Sequence, residues 1–297
     1  MGMERLMSGR PLRTGLAAAI VALLSTAGAS HAEEAKRIAS IGGAITEIVY
    51  ALGEEGRLVA RDTTSVYPDA ALKLADVGYI RNLSPEGVLS VDPDLIIAQE
   101  GFGPPEAANV IKQSGIAIVE IPDGYDRAAI LEKIRATAKA LDRVDAGETL
   151  ASKVDAELAA AEAAAAGIKD RRKVLFLLSA VGGRLMAAGA DTHANGIIEL
   201  AGGVNAMTGF SGYKEVSNEA VIDAAPDVIL RMRGGADDTS DEDVLEHPAI
   251  ALTPAARAGK VIGMSGLYIL GFGPRTAQAA TELSAALYGD KPAGEAN

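Results

Sequence analysis

The stretch Ser84-Pro85-Glu86-Gly87-Val88-Leu89, followed by Pro93-Asp94-Leu95-Ile96-Ile97, decides the fold because the chain contains it twice. The second copy is Ser217-Asn218-Glu219-Ala220-Val221-Ile222, followed by Pro226-Asp227-Val228-Ile229-Leu230, at a constant offset of 133 residues. Each copy predicts a short helix with a serine cap, a Pro-Asp turn and a buried apolar strand. A long period that occurs only twice predicts two similar lobes, and two lobes leave a cleft in which a ligand can bind.

Short apolar runs rich in valine and isoleucine alternate with helical patterns through the rest of the chain. We expect strands at residues 37–41, 58–61, 95–98 and 117–121 in the first lobe, and at 174–178, 228–230 and 261–263 in the second. Because these runs are apolar without alternation, helices should cover both faces of each sheet, as in parallel sheets. The predicted fold class is therefore α/β, with two doubly wound, Rossmann-like lobes.

The stretch between the lobes has the strongest helical pattern. Leu150, Val154 and Leu158 recur on one face, and Asp145 with Glu148 predicts a capping box at the start. Such a helix spans about 30 Å at 1.5 Å per residue. We therefore divide the chain into a leader (1–32), an N-terminal lobe (33–143), a long rigid helix (144–168) and a C-terminal lobe (169–297). Because one stiff helix joins the lobes, the cleft between them should keep a nearly fixed width.

The first 32 residues have the pattern of a cleaved secretory signal peptide. Three arginines precede a short apolar run, and Ser30-His31-Ala32 matches a small-x-small cleavage site. The run is about half of the ~20 residues that a membrane span needs, so we expect no membrane insertion. Cleavage would remove three arginines and one glutamate and lower the net charge from −12 to about −14. A chain this acidic is not expected to bind nucleic acid or anionic membranes.

The chain contains no cysteine and only three histidines, which limits its metal chemistry. Disulfides, iron–sulfur clusters, cysteine-ligated zinc and the lipid anchor of a bacterial lipoprotein are all excluded. An exported, acidic, anchor-free protein is expected in a Gram-negative periplasm. Capture of zinc or manganese needs more histidines than His193 and His247, the two that follow the leader. We expect His193 to help start a helix and His247 to lie on the surface.

Three other features allow both a functional and a structural interpretation. Gly42-Gly43 opens a helix after a strand, as in a dinucleotide site, but the G-x-G-x-x-G spacing is incomplete. Glu86 and Glu219 lie in the first turn of the repeated helix, where they favour the helix dipole and could also dock a two-fold partner with basic residues. Tyr79 lies beside a glycine on a loop at the lobe edge, where it can pack or contact a ligand. No nucleophile elbow or Ser-His-Asp signature occurs, so we expect no enzyme.

Five segments resemble the haem-binding periplasmic proteins of bacterial ABC haem importers. They are Val77-Gly78-Tyr79-Ile80-Arg81, Leu83-Ser84-Pro85-Glu86-Gly87, Leu200-Ala201-Gly202-Gly203-Val204-Asn205, Gly212-Tyr213-Lys214 and Leu270-Gly271-Phe272-Gly273-Pro274-Arg275-Thr276. The resemblance extends from about Arg37 to Tyr288, and its Gly-Tyr-x-Arg and Leu-Gly-Phe-Gly-Pro-Arg segments are fairly specific. The Ser-x-Glu…Pro-Asp repeat is shared with the wider superfamily of helical-backbone (class III) binding proteins, which also carry cobalamin and ferric siderophores.

The resemblance implies that Tyr79 is the axial ligand of ferric haem b, through its phenolate. Ferric iron is a hard cation that prefers anionic oxygen, and haem held by tyrosine has precedent. Arg81 would supply a nearby positive charge and is the best candidate to pair with a propionate. Arg233 lies where some relatives place an arginine that supports the tyrosine, with Arg231 as the alternative. Tyr213 and Tyr268 are expected on second-lobe loops, where they could stack on the porphyrin.

Glu86 and Glu219 match the transporter-docking glutamates of the superfamily. The implied function is a monomeric periplasmic carrier that delivers haem to an inner-membrane ABC permease dimer with its ATPase. Two alternatives stay open: the same fold carrying cobalamin or a ferric siderophore, and a periplasmic nucleotide-dependent oxidoreductase. The number of haems, one or two stacked, and a second ligand from His193 are also open at this point.

Overall fold

The computed structural model of the protein describes residues 35–233 and 239–289. The expected signal peptide at 1–32 lies outside the described residues and stays a prediction. From Ala35 onward, the described chain packs as one compact unit that contains two large β-sheets and a long connecting helix.

The N-terminal lobe is built on a parallel sheet. Its strands are β1 (Ile38–Ile41), β2 (Leu58–Arg61), β3 (Ala75–Asp76), β4 (Gly78–Tyr79), β5 (Asn82–Leu83), β6 (Leu95–Gln99) and β7 (Ala117–Ile121). Its helices are α1 (Gly43–Ala51), α2 (Pro85–Leu89), α3 (Pro105–Lys112) and α4 (Arg127–Ala140). The strand order β3-β2-β1-β6-β7 reverses between β1 and β6, and β4 and β5 form a separate hairpin. Ligands of open α/β sheets usually bind at the carboxyl ends of the strands where the order reverses.

Helix α5 (Val144–Ala166) leads from α4 to the C-terminal lobe. The strands of this lobe are β8 (Lys173–Ser179), β9 (Leu185–Ala188), β10 (Val204–Asn205), β11 (Tyr213–Val216), β12 (Val228–Arg233) and β13 (Val261–Ser265). The helices are α6 (His193–Leu200), α7 (Asn218–Ala224), α8 (Asp241–Glu246), α9 (Pro254–Arg257), α10 (Gly266–Leu270) and α11 (Thr276–Tyr288). The sheet order is β11-β9-β8-β12-β13, with β10 beside the start of β8.

The second sheet is mixed, which differs from the prediction of two parallel sheets. Strands β8, β12 and β13 are parallel, but β9 is antiparallel to β8, and β11 is antiparallel to β9. The short connection from β8 to β9 contains Gly182 and Gly183, both with positive φ. Tight turns of this kind join antiparallel strands, whereas a parallel pair needs a long crossover. The chain therefore gains an antiparallel edge that the apolar runs did not indicate.

Helix α5 begins differently from the prediction. Its first residue is Val144, and Arg143 precedes it without a side-chain cap. Asp145 falls inside the first turn, and Glu148 instead accepts a hydrogen bond from Arg135 of α4 (2.8 Å). The predicted capping box is therefore wrong, and the start of α5 is tied to α4 by a surface ion pair.

A single apolar core joins both lobes to the long helix. Ile48 of α1, Ile134 of α4, Val154 of α5, Phe176 of β8 and Phe272 after α10 all belong to this cluster and are buried. Because the cluster is continuous, separation of the lobes would expose closely packed apolar surface to water. This arrangement favours a cleft of fixed width. Within the two described ranges, no helix has the length and apolarity that a bilayer span requires.

Candidate functional site

Tyr79 lies on a hairpin that is anchored in the N-terminal lobe. The hairpin pairs Gly78 with Leu83, and Gly78 has φ +103°, a conformation that favours glycine. Val77, Ile80 and Leu83 are buried in the core of the lobe. These three buried side chains thus hold the hairpin in place, while Tyr79 is exposed outside this core.

The phenol of Tyr79 is accessible. The residue is 51% exposed, and its hydroxyl has no hydrogen-bond partner among the residues that the structure describes. Backbone bonds fix the hairpin on both sides, from Thr63 N to Gly78 O (2.9 Å) and from Gly103 N to Ile80 O (2.9 Å). A rigid support therefore presents a phenol that can bind a ligand without breaking an existing bond.

Arg81 occupies the turn of the same hairpin. Its Nη1 donates to the carbonyl oxygen of Gly101, in the loop after β6. Gly101 has φ +73°, and a Cβ there would lie 2.8 Å from that nitrogen, so the loop needs glycine to receive the guanidinium. Arg81 thus holds an exposed positive charge two residues from Tyr79, although among the described residues it forms no hydrogen bond to that tyrosine.

Tyr213 approaches Tyr79 from the opposite lobe. It begins β11 at the antiparallel edge rather than lying on the predicted loop. Its hydroxyl lies near Thr192 and Ala194, at the N-terminal end of α6. Burial raises the pKa of Tyr213, interactions with these two residues lower it, and the proximity of Tyr79 raises it. The two phenols, one from each lobe, therefore lie near each other.

Tyr268 has a different environment from the one predicted. It lies in α10, not on a loop, and its hydroxyl donates to Glu282 of α11 (2.8 Å). Burial and this carboxylate raise its pKa. The guanidinium of Arg275 lies between two rings, 4.9 Å from the centre of Tyr268 and 3.4 Å from that of Tyr67 in the N-terminal lobe. Cation–π contacts of this kind connect the two lobes.

Arg275 also forms an ion pair between the lobes. Its Nη2 lies 2.8 Å from Oε2 of Glu47 in α1, and its backbone N–H donates to the other oxygen of that carboxylate (3.2 Å). Glu47 is buried. Arg275 belongs to the Leu-Gly-Phe-Gly-Pro-Arg segment, in which no role was predicted for it. The pattern gave no indication of its partner, which lies 228 residues away.

Arg231 and Arg233 share one carboxylate. The Nη1 of Arg231 lies 3.1 Å from Asp241 Oδ1, and the Nη2 of Arg233 lies 3.0 Å from Oδ2 of the same residue. Arg231 is buried, whereas the side chain of Arg233 is 59% exposed. Arg233 is thus the more accessible of the two candidates. Among the described residues, it makes no hydrogen bond to Tyr79 or Tyr213.

A second interlobe cluster centres on Asp123, which sequence analysis did not consider. Its Oδ1 accepts from Lys133 Nζ (2.9 Å) and lies 3.2 Å from His193 Nε2, while its Oδ2 accepts from Gln99 (2.7 Å). Lys133 is completely buried and also donates to the carbonyl oxygen of Gly271 (3.3 Å). Burial opposes the charge of Asp123, but His193 and Lys133 outweigh it and hold the pKa of this carboxyl well below its usual range.

The two histidines have structural partners. His193 is the first residue of α6, as predicted, and its Nε2 faces Asp123. The prediction that His247 lies on the surface is wrong: it is only 9% exposed, and its two ring nitrogens face Gly183 O and Ala249 N. In residues 35–233 and 239–289, no group of three or more histidine and carboxylate side chains could hold a metal ion.

Glu86 and Glu219 occupy matching positions in the two lobes. Each is the second residue of its helix, is exposed, and follows a serine cap, Ser84 or Ser217. The backbone N–H of Glu219 and the Ser217 side chain hold the pKa of Glu219 below its ordinary value. Both lobes therefore present an exposed carboxyl side chain at an equivalent place.

In the glycine turn after β1, the backbone N–H groups already donate to protein side chains. Gly42 N donates to the buried carboxylate of Asp62 (2.9 Å), and Gly43 N donates to Thr64 Oγ1 (3.2 Å). A Cβ on Gly43 would lie 2.4 Å from Leu267 of the other lobe. A dinucleotide phosphate would need these backbone donors and this space. The turn therefore serves packing between the lobes.

Two surface grooves lie away from the tyrosine pair. One, of about 400 Å³, follows α4 and is lined by Leu131 and charged residues such as Arg135. The other, of about 510 Å³, lies beside α7 and includes Phe210 and Lys214. Each is lined by one lobe only, so neither coincides with the region where Tyr79 meets Tyr213.

The predicted site residues therefore fall into separate groups. Tyr79 and Tyr213 come together, and Arg81 shares the hairpin of Tyr79. Arg233 and Tyr268 are engaged elsewhere, with Asp241 and Glu282. The roles of all five in ligand binding stay predictions.

Comparison with known proteins identifies the family and the fold of the chain. A sequence profile of the periplasmic binding protein family matches residues 38–266. The solved structure of the periplasmic heme-binding protein BhuT in complex with two hemes is similar, with 41% identity and a TM-score of 0.80 over 85% of this chain and 97% of that one. The heme-binding protein RhuT from Roseiflexus sp. RS-1, in apo form, has 40% identity and a TM-score of 0.82 over 85% and 98% of the two chains.

A curated relative binds a different ligand. The vitamin B12-binding protein of Vibrio campbellii is 27% identical over 201 residues, which cover 67% of this chain and 71% of that protein. The comparisons therefore agree on a binding-protein fold and differ on the cargo.

Proposed function

Because the chain belongs to the periplasmic binding protein family, whose members are binding proteins rather than enzymes, we propose that it carries ferric haem for an ABC importer. In this proposal the mature chain, released from its signal peptide (1–32), works as a monomer in the periplasm. It takes up haem b between the N-terminal lobe (33–143) and the C-terminal lobe (169–297), whose separation is held by the long helix (144–168). It then delivers haem to an inner-membrane permease dimer that is powered by its ATPase.

The observation that carries the proposal is the free phenol of Tyr79. It is exposed, has no hydrogen-bond partner among the described residues, and lies on a hairpin that three buried side chains hold rigidly. The iron of ferric haem has open axial positions and prefers an anionic oxygen ligand. Arg81 places a positive charge on the same hairpin, which favours the phenolate and can pair with a propionate.

Tyr213 supplies the facing wall of the cleft rather than a second ligand. Burial raises the pKa of its hydroxyl, which disfavours the phenolate that iron would need. A single protein ligand, and therefore five-coordinate iron, suits a carrier that must also release its cargo. Arg233 would add positive charge from the second lobe. Tyr268 could contact the porphyrin only through its ring, because Glu282 holds its hydroxyl.

Glu86 and Glu219 are the proposed docking residues. Their exposure, their acidic side chains and their matching helix positions suit contact with basic residues of a two-fold permease. Because the two carboxylates lie one on each lobe, a permease dimer could hold both lobes at once.

Two alternatives have specific observations to weigh. A vitamin B12-binding relative favours cobalamin, but cobalamin brings its own axial ligands and would not need a free phenol. A nucleotide-dependent oxidoreductase is disfavoured because Asp62 and Thr64 already occupy the donors of the Gly42-Gly43 turn.

The test is a titration of the purified mature protein with hemin, cyanocobalamin, a ferric siderophore and NADH, followed by absorbance and calorimetry. We expect saturable binding of hemin only, with a tyrosinate-to-iron charge-transfer band, and the stoichiometry will distinguish one haem from two. Binding of cobalamin or a siderophore without hemin would overturn the proposal. A low-spin hemin spectrum would contradict the single-ligand assignment.

A further inference from the structure

The cluster around Asp123 joins the two lobes close to the segment of the C-terminal lobe that positions Tyr213. Asp123 follows β7, and Gln99 and Lys133, its partners at 2.7 and 2.9 Å, belong to the N-terminal lobe. His193, at 3.2 Å, and the carbonyl of Gly271, which Lys133 binds, belong to the C-terminal lobe. One carboxylate and one ammonium thus form two polar contacts between the lobes.

The contact with the second lobe is made at the N-terminal end of α6. His193 is the first residue of that helix. The residues just before the helix pair with Gly212, the neighbour of Tyr213, through Gly189 N to Gly212 O (2.8 Å) and Gly212 N to Ala190 O (2.9 Å). A shift of α6 relative to the N-terminal lobe would move Tyr213 relative to Tyr79 by a comparable distance.

Tyr125, two residues after Asp123, contacts the second lobe at two further points, one in α6 and one just before it. A Cβ on Gly196 would lie 2.4 Å from the carbonyl oxygen of Tyr125, so this part of α6 packs directly on the backbone after Asp123. The Tyr125 hydroxyl donates to Asp191 (3.2 Å), which also accepts from Ser211 (2.7 Å), two residues before Tyr213. Residues 123–125 therefore contact α6 directly and, through Asp191, the residues that lead into β11.

The Asp123–Lys133 pair is largely removed from water, so its contact with the second lobe requires a defined geometry. Lys133 is completely buried, and the side chain of Asp123 is 16% exposed. A buried charge requires its partner at a defined position, because an unpaired charge away from water is costly. His193 can donate from Nε2 to the carboxylate in both its neutral and its protonated form, so the contact does not depend on histidine charge.

We propose that Asp123 and His193 are positioning residues that set the separation between the Tyr79 wall and the Tyr213 wall of the cleft. The apolar core and α5 hold the lobes together, and the Asp123–His193 contact fixes the register of α6 within that assembly. This inference concerns the protein without cargo, so it does not depend on the identity of the ligand. Its consequence for haem retention rests on the proposed function.

The experiment measures the distance between the lobes by pulsed electron–electron double resonance. The chain contains no cysteine, so cysteines introduced at the exposed positions Gln113 of the first lobe and Asp223 of the second carry the only two spin labels. His193→Leu removes the cross-lobe bond while leaving the Asp123–Lys133 pair intact. His193→Gln keeps a donor, and His247→Leu removes the hydrogen bonds of a buried histidine within one lobe.

We expect a narrow distance distribution in the otherwise wild-type labelled protein, unchanged by hemin. His193→Leu should shift or broaden it, His193→Gln should restore it, and His247→Leu should leave it as in the parent. Identical distributions for His193→Leu and the parent would overturn the inference. If His193→Leu does not fold, His193→Asn, too short to reach the carboxylate, replaces it under the same criterion.

A second measurement separates this inference from the proposed function. Hemin dissociation from His193→Leu should be faster by about 10-fold, the lower end of what residues behind a metal site contribute. Absence of hemin binding by the parent protein would refute the proposed function and leave the distance result valid. Unchanged dissociation together with an unchanged distance distribution would refute the positioning role alone.

Discussion

The two copies of the repeated helix are each preceded by a tyrosine, and the two tyrosines differ in their chemical state. Tyr79 lies five residues before the cap Ser84, and Tyr213 lies four residues before the cap Ser217. The first is 51% exposed and its hydroxyl has no hydrogen-bond partner among the described residues; the second is 36% exposed, and partial burial raises its pKa. The two similar lobes therefore each contribute one phenol to the cleft.

The difference shows that the surroundings of the hydroxyl, rather than the presence of a tyrosine, distinguish a candidate ligand from a wall residue. Tyr79 can bind iron without breaking a hydrogen bond to any described residue. Burial raises the pKa of the Tyr213 hydroxyl, which disfavours the phenolate that ferric iron prefers.

The largest expected effect follows from Tyr79→Phe. We expect hemin affinity to fall by about 1,000-fold, beyond the roughly 10- to 100-fold typical of residues that only support a metal ligand. Competition with a haem-binding indicator protein measures the dissociation constant, and a thermal melt controls for folding, which the exposed hydroxyl should not affect. An affinity within about 10-fold of wild type would remove the proposed distinction between the tyrosines.

The connection between the lobes predicts a pH-dependent change in stability for Asp123→Asn. The substitution leaves Lys133 buried without a charge partner, so we expect unfolding to require about 3 kcal/mol less free energy at pH 7. Lys133 and His193 hold the pKa of Asp123 far below its unfolded value, which is near 3.9. The stabilisation is therefore complete above about pH 5 and is lost as pH falls through the carboxylate range toward the folded pKa.

Urea unfolding of wild type and Asp123→Asn at a series of pH values measures this difference. The gap between the two proteins should narrow below pH 4. Asp155→Asn, which breaks an exposed ion pair with Arg127, is the control and should cost less than about 1 kcal/mol. A gap that stays constant from pH 7 to pH 3 would contradict the assigned role of the Asp123 charge.

The proposed docking residues, Glu86 and Glu219, allow the two lobes to be compared in haem transport, because neither residue should affect hemin binding. Glu86→Ala and Glu219→Ala should each slow haem transport into proteoliposomes that contain the permease by about 10-fold, with unchanged hemin affinity. Glu106→Ala is a matched control, because Glu106 is an exposed residue in the first turn of α3 outside the repeat. Equal transport by the control and both test variants would dismiss the docking role.

The smallest effect is expected for Tyr213→Phe. The ring that lines the cleft is kept and only the hydroxyl is lost, so hemin affinity should fall by about 3-fold. Calorimetric titration with hemin measures the change. A loss as large as that of Tyr79→Phe would mean that both phenols bind iron.

Much of the architecture follows from local patterns in the sequence. The repeat predicted two lobes, and of the predicted helical face Leu150, Val154 and Leu158, the last two are buried and Leu150 is partly buried. Continuous apolar runs correctly marked the longer parallel strands but not the two-residue parallel strands β3 and β10. They missed β9 and β11, because an edge hairpin has a weaker pattern than a strand buried on both faces. Tyr213 was therefore expected on a loop although it begins a strand.

The polar contacts between the lobes could not be predicted. Asp123 is separated from Gln99 by 24 residues and from His193 by 70, and Glu47 is separated from Arg275 by 228. No local spacing relates such partners, since they meet only after both lobes have folded. The sequence Pro122-Asp123-Gly124 has the composition of an ordinary turn, which concealed a buried carboxylate.

Resonance Raman spectroscopy of the ferric haem complex, excited in the tyrosinate charge-transfer band, tests the central claim most directly. We predict enhanced phenolate vibrations in the wild type and in Tyr213→Phe, and their complete loss in Tyr79→Phe. Phenolate vibrations that persist in Tyr79→Phe and disappear in Tyr213→Phe would assign the iron to the other lobe and contradict the account.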